Sequence, residues 1–308
     1  MVSLSRENER LFRMEQLTDQ KKLRPWMGFV AQAGFLVLFL TAGAAVQRKF
    51  GIPGLVLSEL MFLVVAVAYC LIRKVKLKEM FPVKKISMTD FFGTVILGVA
   101  GFMLSMLCVG ISLCILPVSF REEVSGLNDF IYGNMNFPVL VLIMAFLPAI
   151  CEEAMERGCV LSHFRSLKHD WLIILIMGIF FGIMHWSPLR FLNTAVLGAM
   201  LSYLMVKKNN ILLPMLLHFG NNFVSAGLGY VGHLLTKGET ADITNIDTLQ
   251  LLGSYLFLSC AAPVLIVTAM MLIDRKHHKP IRYAIAGSIS GIMLFSGMTI
   301  IALCSLPA

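Results

Sequence analysis

Runs of about 20 apolar residues, separated by short polar turns, fill this chain and leave it few possible folds. In hydrocarbon every backbone N–H and C=O needs a partner within the protein, so a spanning segment is a helix or a strand of a closed barrel. A barrel strand would need only about 10 residues, alternating in polarity. Runs of about 20 residues fit helices rising 1.5 Å per residue across a core roughly 30 Å thick. Nine such runs are read near 26–46, 52–72, 91–116, 137–160, 171–187, 189–206, 211–232, 249–273 and 281–304. The fifth and sixth are short, and Pro188 divides them at a tight turn. The fold expected is an all-α polytopic membrane protein of about nine transmembrane helices.

Basic residues orient such a bundle, because short cytoplasmic loops hold an excess of lysine and arginine. With the N-terminus cytoplasmic, the inside loops hold Arg73, Lys74, Lys76, Lys78, Lys84 and Lys85, then Arg165 and Lys168, then Lys207 and Lys208, then Arg275, Lys276, Lys279 and Arg282. The outside loops hold Arg48 and Lys49, then Arg121, Arg190 and Lys237. Every inside loop carries at least as many as the outside loops around it, which favours nine spans with the N-terminus in and the C-terminus out. Residues 1–25 read as a polar cytoplasmic segment, either a surface helix on an anionic leaflet or a solvated tail. These polar residues precede the first span, no small-residue cleavage site follows it, and the start does not read as a secretory signal. Residues 26–136 then carry three helices, 137–232 four and 233–308 two.

Only 14% of residues are charged and 57% are hydrophobic, against roughly a quarter charged in soluble domains, so no stretch remains for a soluble domain. Nucleic acid is excluded as a partner, since the basic residues lie in short loops beside apolar spans. The seven cysteines form no CxxC pair, which points to small buried residues rather than a disulfide framework or thiolate metal site. Gly178-x-x-x-Gly182 offers a small face for close helix packing. The setting suggested is a cell membrane, multi-pass, of a bacterial plasma membrane type.

Polar groups inside apolar helices are costly unless they carry ions, protons or chemistry. Three patterns of this kind occur in order: Glu152-Glu153-x-x-x-Arg157, Phe181-x-x-x-His185 and His218-x-x-x-Asn222. Residues four apart share a helix face, so Arg157 can neutralise Glu153 and leave Glu152 free for chemistry. If the fourth and fifth helices turn near His169-Asp170, Glu152 and His185 both lie roughly 25 Å from that turn, at one level. His218 and Asn222 share a face of the seventh helix. Read singly, each pattern is also explained as an ion pair, an interfacial histidine or an interhelical hydrogen bond worth about 1 kcal/mol.

Together the three patterns resemble the signatures EExxxR, FxxxH and HxxxN of the CAAX-protease and bacteriocin-processing family, the ABI or CPBP intramembrane proteases. The resemblance covers about residues 137–232. It implies a protease core there that hydrolyses a peptide bond in a membrane-associated or lipid-modified substrate. By similarity Glu152 is the general base, His185 helps to hold the water, and His218 and Asn222 stabilise the oxyanion. Glu153 and Arg157 support them. Such chemistry needs a base for water and donors where charge develops on the carbonyl oxygen. No cofactor is expected; the alternative is zinc held by Glu152, His185 and His218. The partners implied are membrane lipids and a peptide or lipidated protein.

Two other functions fit the composition. One is a non-catalytic scaffold, or an immunity or regulatory protein binding a peptide in the same cavity. The other is an ion-coupled transporter, but paired broken helices in two related halves are missing. Glu122-Glu123 lacks an arginine four residues beyond Glu123 and reads as a solvated loop. His163, His169, His233, His277 and His278 fall at membrane edges or in loops.

Overall fold

The computed structural model describes residues 23–120, 130–236, 247–274 and 279–306. Residues 1–22, Glu122-Glu123 and His277-His278 lie outside them. The described residues form helices and no strand: α1 (Pro25–Phe50), α2 (Ile52–Ile72), α3 (Met88–Ile115), α4 (Phe137–Val160), α5 (Asp170–Met184), α6 (Pro188–Lys208), α7 (Leu212–Leu235), α8 (Thr248–Ile273) and α9 (Pro280–Cys304). Each of the nine expected runs thus coincides with a helix. Seven are long and apolar enough to cross a membrane; α5 is apolar but only 15 residues long, and α7 is not among the seven. The chain is an all-α polytopic membrane protein.

Proline shapes at least five of these helices. Pro25, Pro188 and Pro280 stand at helix starts, where a missing N–H costs nothing. α8 breaks at residues 259–261 before Pro263, and the Ser259 hydroxyl donates to the Met103 carbonyl at 2.6 Å. In α4, Pro148 follows a π-helical stretch, Leu142–Phe146, and a second, Ala154–Val160, carries Arg157. A π turn widens the helix by one residue and is often found at functional sites.

α4 lies at the centre, against α1, α2, α6 and α7, while α3 packs on α6, α7 and α8. α5 and α6 form a tight hairpin. A Cβ on Gly178 would come within 2.8 Å of the Ala195 carbonyl, so the small-residue face does let these helices approach. At one end of the bundle Lys207 pairs with Asp170 at 3.2 Å and Asp274 at 3.6 Å, and Lys208 with Asp90 at 2.6 Å. Such half-exposed pairs add little stability. They bring the ends of α3, α5, α6 and α8 to one level. The Asn210 side chain closes that end, accepting from the Lys84 amide at 3.1 Å and donating to its carbonyl at 3.0 Å.

Candidate active site

Glu153 and Arg157 are both fully buried on α4, and together they tie three helices. Glu153 Oε1 accepts from Arg157 Nη1 at 2.9 Å and from His218 Nδ1 of α7 at 2.8 Å. The other arm of Arg157 donates from Nη2 to the Gly198 carbonyl of α6 at 3.0 Å. The guanidinium thus has an ionic and a backbone partner, with Nε left unbonded; removing Glu153 would leave a buried charge uncompensated.

Glu152 is placed differently from its neighbour. Its side chain is 18% exposed, and His218 Nε2 lies 4.0 Å from its Oε2. That is too long for a hydrogen bond and is the kind of gap a bridging water fills. Of two adjacent glutamates, then, one is locked into the ion-pair network and the other stands at its edge with oxygens to offer.

Phe181 joins the remaining groups. The Arg157 guanidinium lies 4.5 Å from its ring centroid, a cation–π contact. His185 meets the ring edge-on at 4.8 Å and His218 at 5.6 Å. The ring has room because residue 198 is glycine: a Cβ there would come within 2.5 Å of Phe181 Cβ. His185 Nδ1 donates to the Phe181 carbonyl at 2.8 Å, an acceptor-only group, so in the neutral imidazole Nε2 carries the free lone pair. His218 has the same polarity, with Nδ1–H on Glu153 and Nε2 turned toward Glu152.

At roughly 22 Å, the 15 residues of α5 stop short of the hydrocarbon thickness. The turn through His185, Trp186 and Ser187 is therefore held inside the bundle's depth, with Trp186 at φ +45° and 62% exposed. Irregular backbone at that depth is tolerated where it lines a water-filled cavity. Arg190, on the first turn of α6, lies within electrostatic reach of Glu152 and His185.

Asn222 is half-buried, and its Nδ2 donates to the Met144 carbonyl at 3.2 Å. Pro148 has no N–H to return to that carbonyl four residues earlier. Asn222 thus serves a backbone group that the proline leaves short, and its second amide hydrogen is the one free for a ligand.

The structure gathers Glu152, Glu153, Arg157 and His218 through polar contacts and His185 through Phe181, while Asn222 meets the π-helical stretch of α4. The described residues bring no three His, Cys, Asp or Glu side chains into a set that could hold a metal ion. Glu152, His185 and His218 are not such a set. Sequence reasoning missed Phe181 as the hub. It also missed Gln32, whose Nε2 donates to the buried Glu156 at 3.0 Å and so ties α1 to α4. It missed Glu59 on α2, in electrostatic contact with Glu152. His163 lies beyond the end of α4, wholly buried against the Tyr69 hydroxyl at 2.9 Å, and burial holds its imidazole down at about 4.

Residues 134–224 match the family described as type II CAAX prenyl endopeptidase Rce1-like. The match runs from just before α4 into the middle of α7, takes in all three motifs, and bears out the resemblance drawn from them. It supports reading this part of the chain as a CAAX-type intramembrane protease. No curated protein and no solved structure matches the chain significantly.

Proposed function

We propose that the chain is an intramembrane endopeptidase in which Glu152 activates a water to cut a peptide bond in a membrane-associated or lipid-modified substrate. The observation that carries this reading is the division of labour between adjacent carboxylates. Glu153 is sealed between Arg157 and His218, whereas Glu152 is partly open across a 4.0 Å gap from His218 Nε2.

Water bound in that gap donates to Glu152, and His185, which shares the Phe181 ring with His218, is read as moving its Nε2 lone pair toward that water when substrate binds. As the water oxygen attacks the carbonyl carbon, Glu152 takes its proton and later returns it to the leaving amine nitrogen. Negative charge develops on the carbonyl oxygen. His218 can donate to it from Nε2 only when doubly protonated, because Nδ1–H is committed to Glu153. The free amide hydrogen of Asn222 supplies a second donor. The reaction is read as metal-free. Zinc at Glu152, His185 and His218 remains the alternative, since each imidazole donates its other nitrogen to an anchoring acceptor, as metal-bound histidines do. The setting proposed is a bacterial plasma membrane.

The test is quantitative profiling of new protein N-termini in membranes from cells making wild-type protein or Glu152→Gln at matched abundance. Cleavage products present with wild type should fall by roughly 10²–10⁴-fold in the variant, the usual contribution of a general base. Equal profiles from two folded proteins would leave a peptide-binding scaffold or immunity protein as the better description.

A further inference from the structure

Glu59 lies eight residues beyond Gly51 in α2, in the middle of an apolar span that the family match does not reach. Along this helix Ser58, Phe62, Ala66 and Cys70 form the buried stripe. Phe62 and Ala66 share one apolar cluster with Cys151, Met155 and Cys159 of α4. Glu59 stands one turn before Phe62 at the edge of that stripe, and so faces the stretch of α4 that bears Cys151 and Glu152. The electrostatics agree: Glu59 acts on both Cys151 and Glu152.

The carboxylate is unsatisfied where it stands. Its Oε2 is sealed from solvent with no hydrogen-bond partner, and no cation pairs with it among the described residues. Arg157 and His218 are already engaged with Glu153, and Arg190 acts on Glu152 rather than on Glu59. An acid kept in a membrane span without a partner calls for one. The residue as a whole is only half-buried, so a small shift of the side chain would present that oxygen to a partner.

We propose that Glu59 forms a subsite for a cationic side chain, lysine or arginine, of the peptide held beside Glu152. The proposal rests on the reading that this cavity takes a peptide. A charge-assisted hydrogen bond from an ammonium or guanidinium would satisfy the orphan oxygen and balance the second carboxylate next to Glu152. Because α2 lies outside the matched segment, this contact selects substrates and is separate from the machinery of hydrolysis. The apolar stem of lysine or arginine suits the approach, lying along the Phe62 side while its head meets Glu59.

The experiment uses full-length protein in nanodiscs, silenced by Glu152→Gln so that ligands stay intact. The probes are palmitoylated peptides of alanine and serine carrying one lysine or one norleucine, stepped through each position, with binding read by fluorescence anisotropy. At one position lysine should bind about tenfold tighter than norleucine. Adding Glu59→Gln should erase that preference, and Glu59→Asp should retain part of it. Each preference compares two peptides on the same protein, so a general loss of fold does not imitate the result. No lysine preference at any position, or a preference that survives Glu59→Gln, overturns the proposal and makes Glu59 a sealed neutral carboxyl. The same peptides offered to the unsilenced protein separate the two readings. Lysine-dependent binding without cleavage removes the protease and keeps the subsite; cleavage indifferent to lysine does the reverse.

Discussion

α4 and α9 are nearly equal in length, 24 and 25 residues, and in mean hydropathy, yet they live in different surroundings. In the most apolar window of α4, 44% of residues are buried; in that of α9, 17%. The difference follows from where their polar atoms find partners. Ser288 and Thr299 of α9 donate to the carbonyls of Ala284 and Phe295 four residues back, so these groups need no other helix and can face lipid, while the Tyr283 hydroxyl at the helix start reaches Thr268 of α8 at 3.3 Å. Glu153, Glu156 and Arg157 of α4 reach His218, Gln32 and the Gly198 carbonyl on three other helices. A helix whose buried charged groups need partners elsewhere must sit at the centre, however apolar its average composition.

The strongest way to break this comparison is Arg157→Met. It removes the cation between Glu153 and Gly198 and leaves a buried carboxylate with His218 alone. Stability should fall by about 3–5 kcal/mol, read as loss of thermal resistance in mild detergent, and cleavage should vanish with it. A variant as stable as the parent would show that the α4 network does not hold the bundle.

Gly198→Ala comes next. The added methyl meets Phe181, whose ring contacts Arg157, His185 and His218. Overpacking should cost about 1–3 kcal/mol, with cleavage losing more than stability does because the displaced ring moves both imidazoles. Proportional losses would mean that Phe181 only fills space.

The contrast also explains what the sequence could and could not reveal. Glu152, Glu153, Arg157, His185, His218 and Asn222 stood out because each is polar within an apolar run, and fixed spacing put several on shared helix faces. Counting residues from the α4–α5 turn put Glu152 and His185 at one level, and both do border the Phe181–His218 region. Phe181 was named in the Phe181-x-x-x-His185 pattern, but its place as the hub is invisible to polarity, since an apolar residue in an apolar helix looks the same whether it meets lipid or Arg157, His185 and His218. Gln32 and Glu59 carried the polar signal but lie in other spans with no spacing to link them to α4; only tertiary packing supplies the partner. The bond from Asn222 to Met144 needed both the proline on α4 and the approach of α7, and no local pattern contains the second. Helix existence was legible because lipid allows little else, whereas the seven-of-nine distinction turns on α5 being 15 residues long and on polar residues within α7.

The smallest effect expected is the most diagnostic for α9. Ile292 is 67% exposed and Leu140 of α4 wholly buried, though either side chain could pass for the other in a hydropathy profile. Truncating Leu140 to alanine leaves a cavity among Ile131, Met135, Ile143 and Ala226, with a cost of about 2–5 kcal/mol. Truncating Ile292 lets lipid chains take the vacated volume, so stability should change by no more than about 0.5 kcal/mol. Thermal unfolding of the two variants in one lipid composition reads the difference directly. If Ile292→Ala cost as much as Leu140→Ala, the outer face of α9 would be a packed surface covered by another protein. The contrast between a lipid-facing helix and a cross-linked central one would then fail at its simpler end.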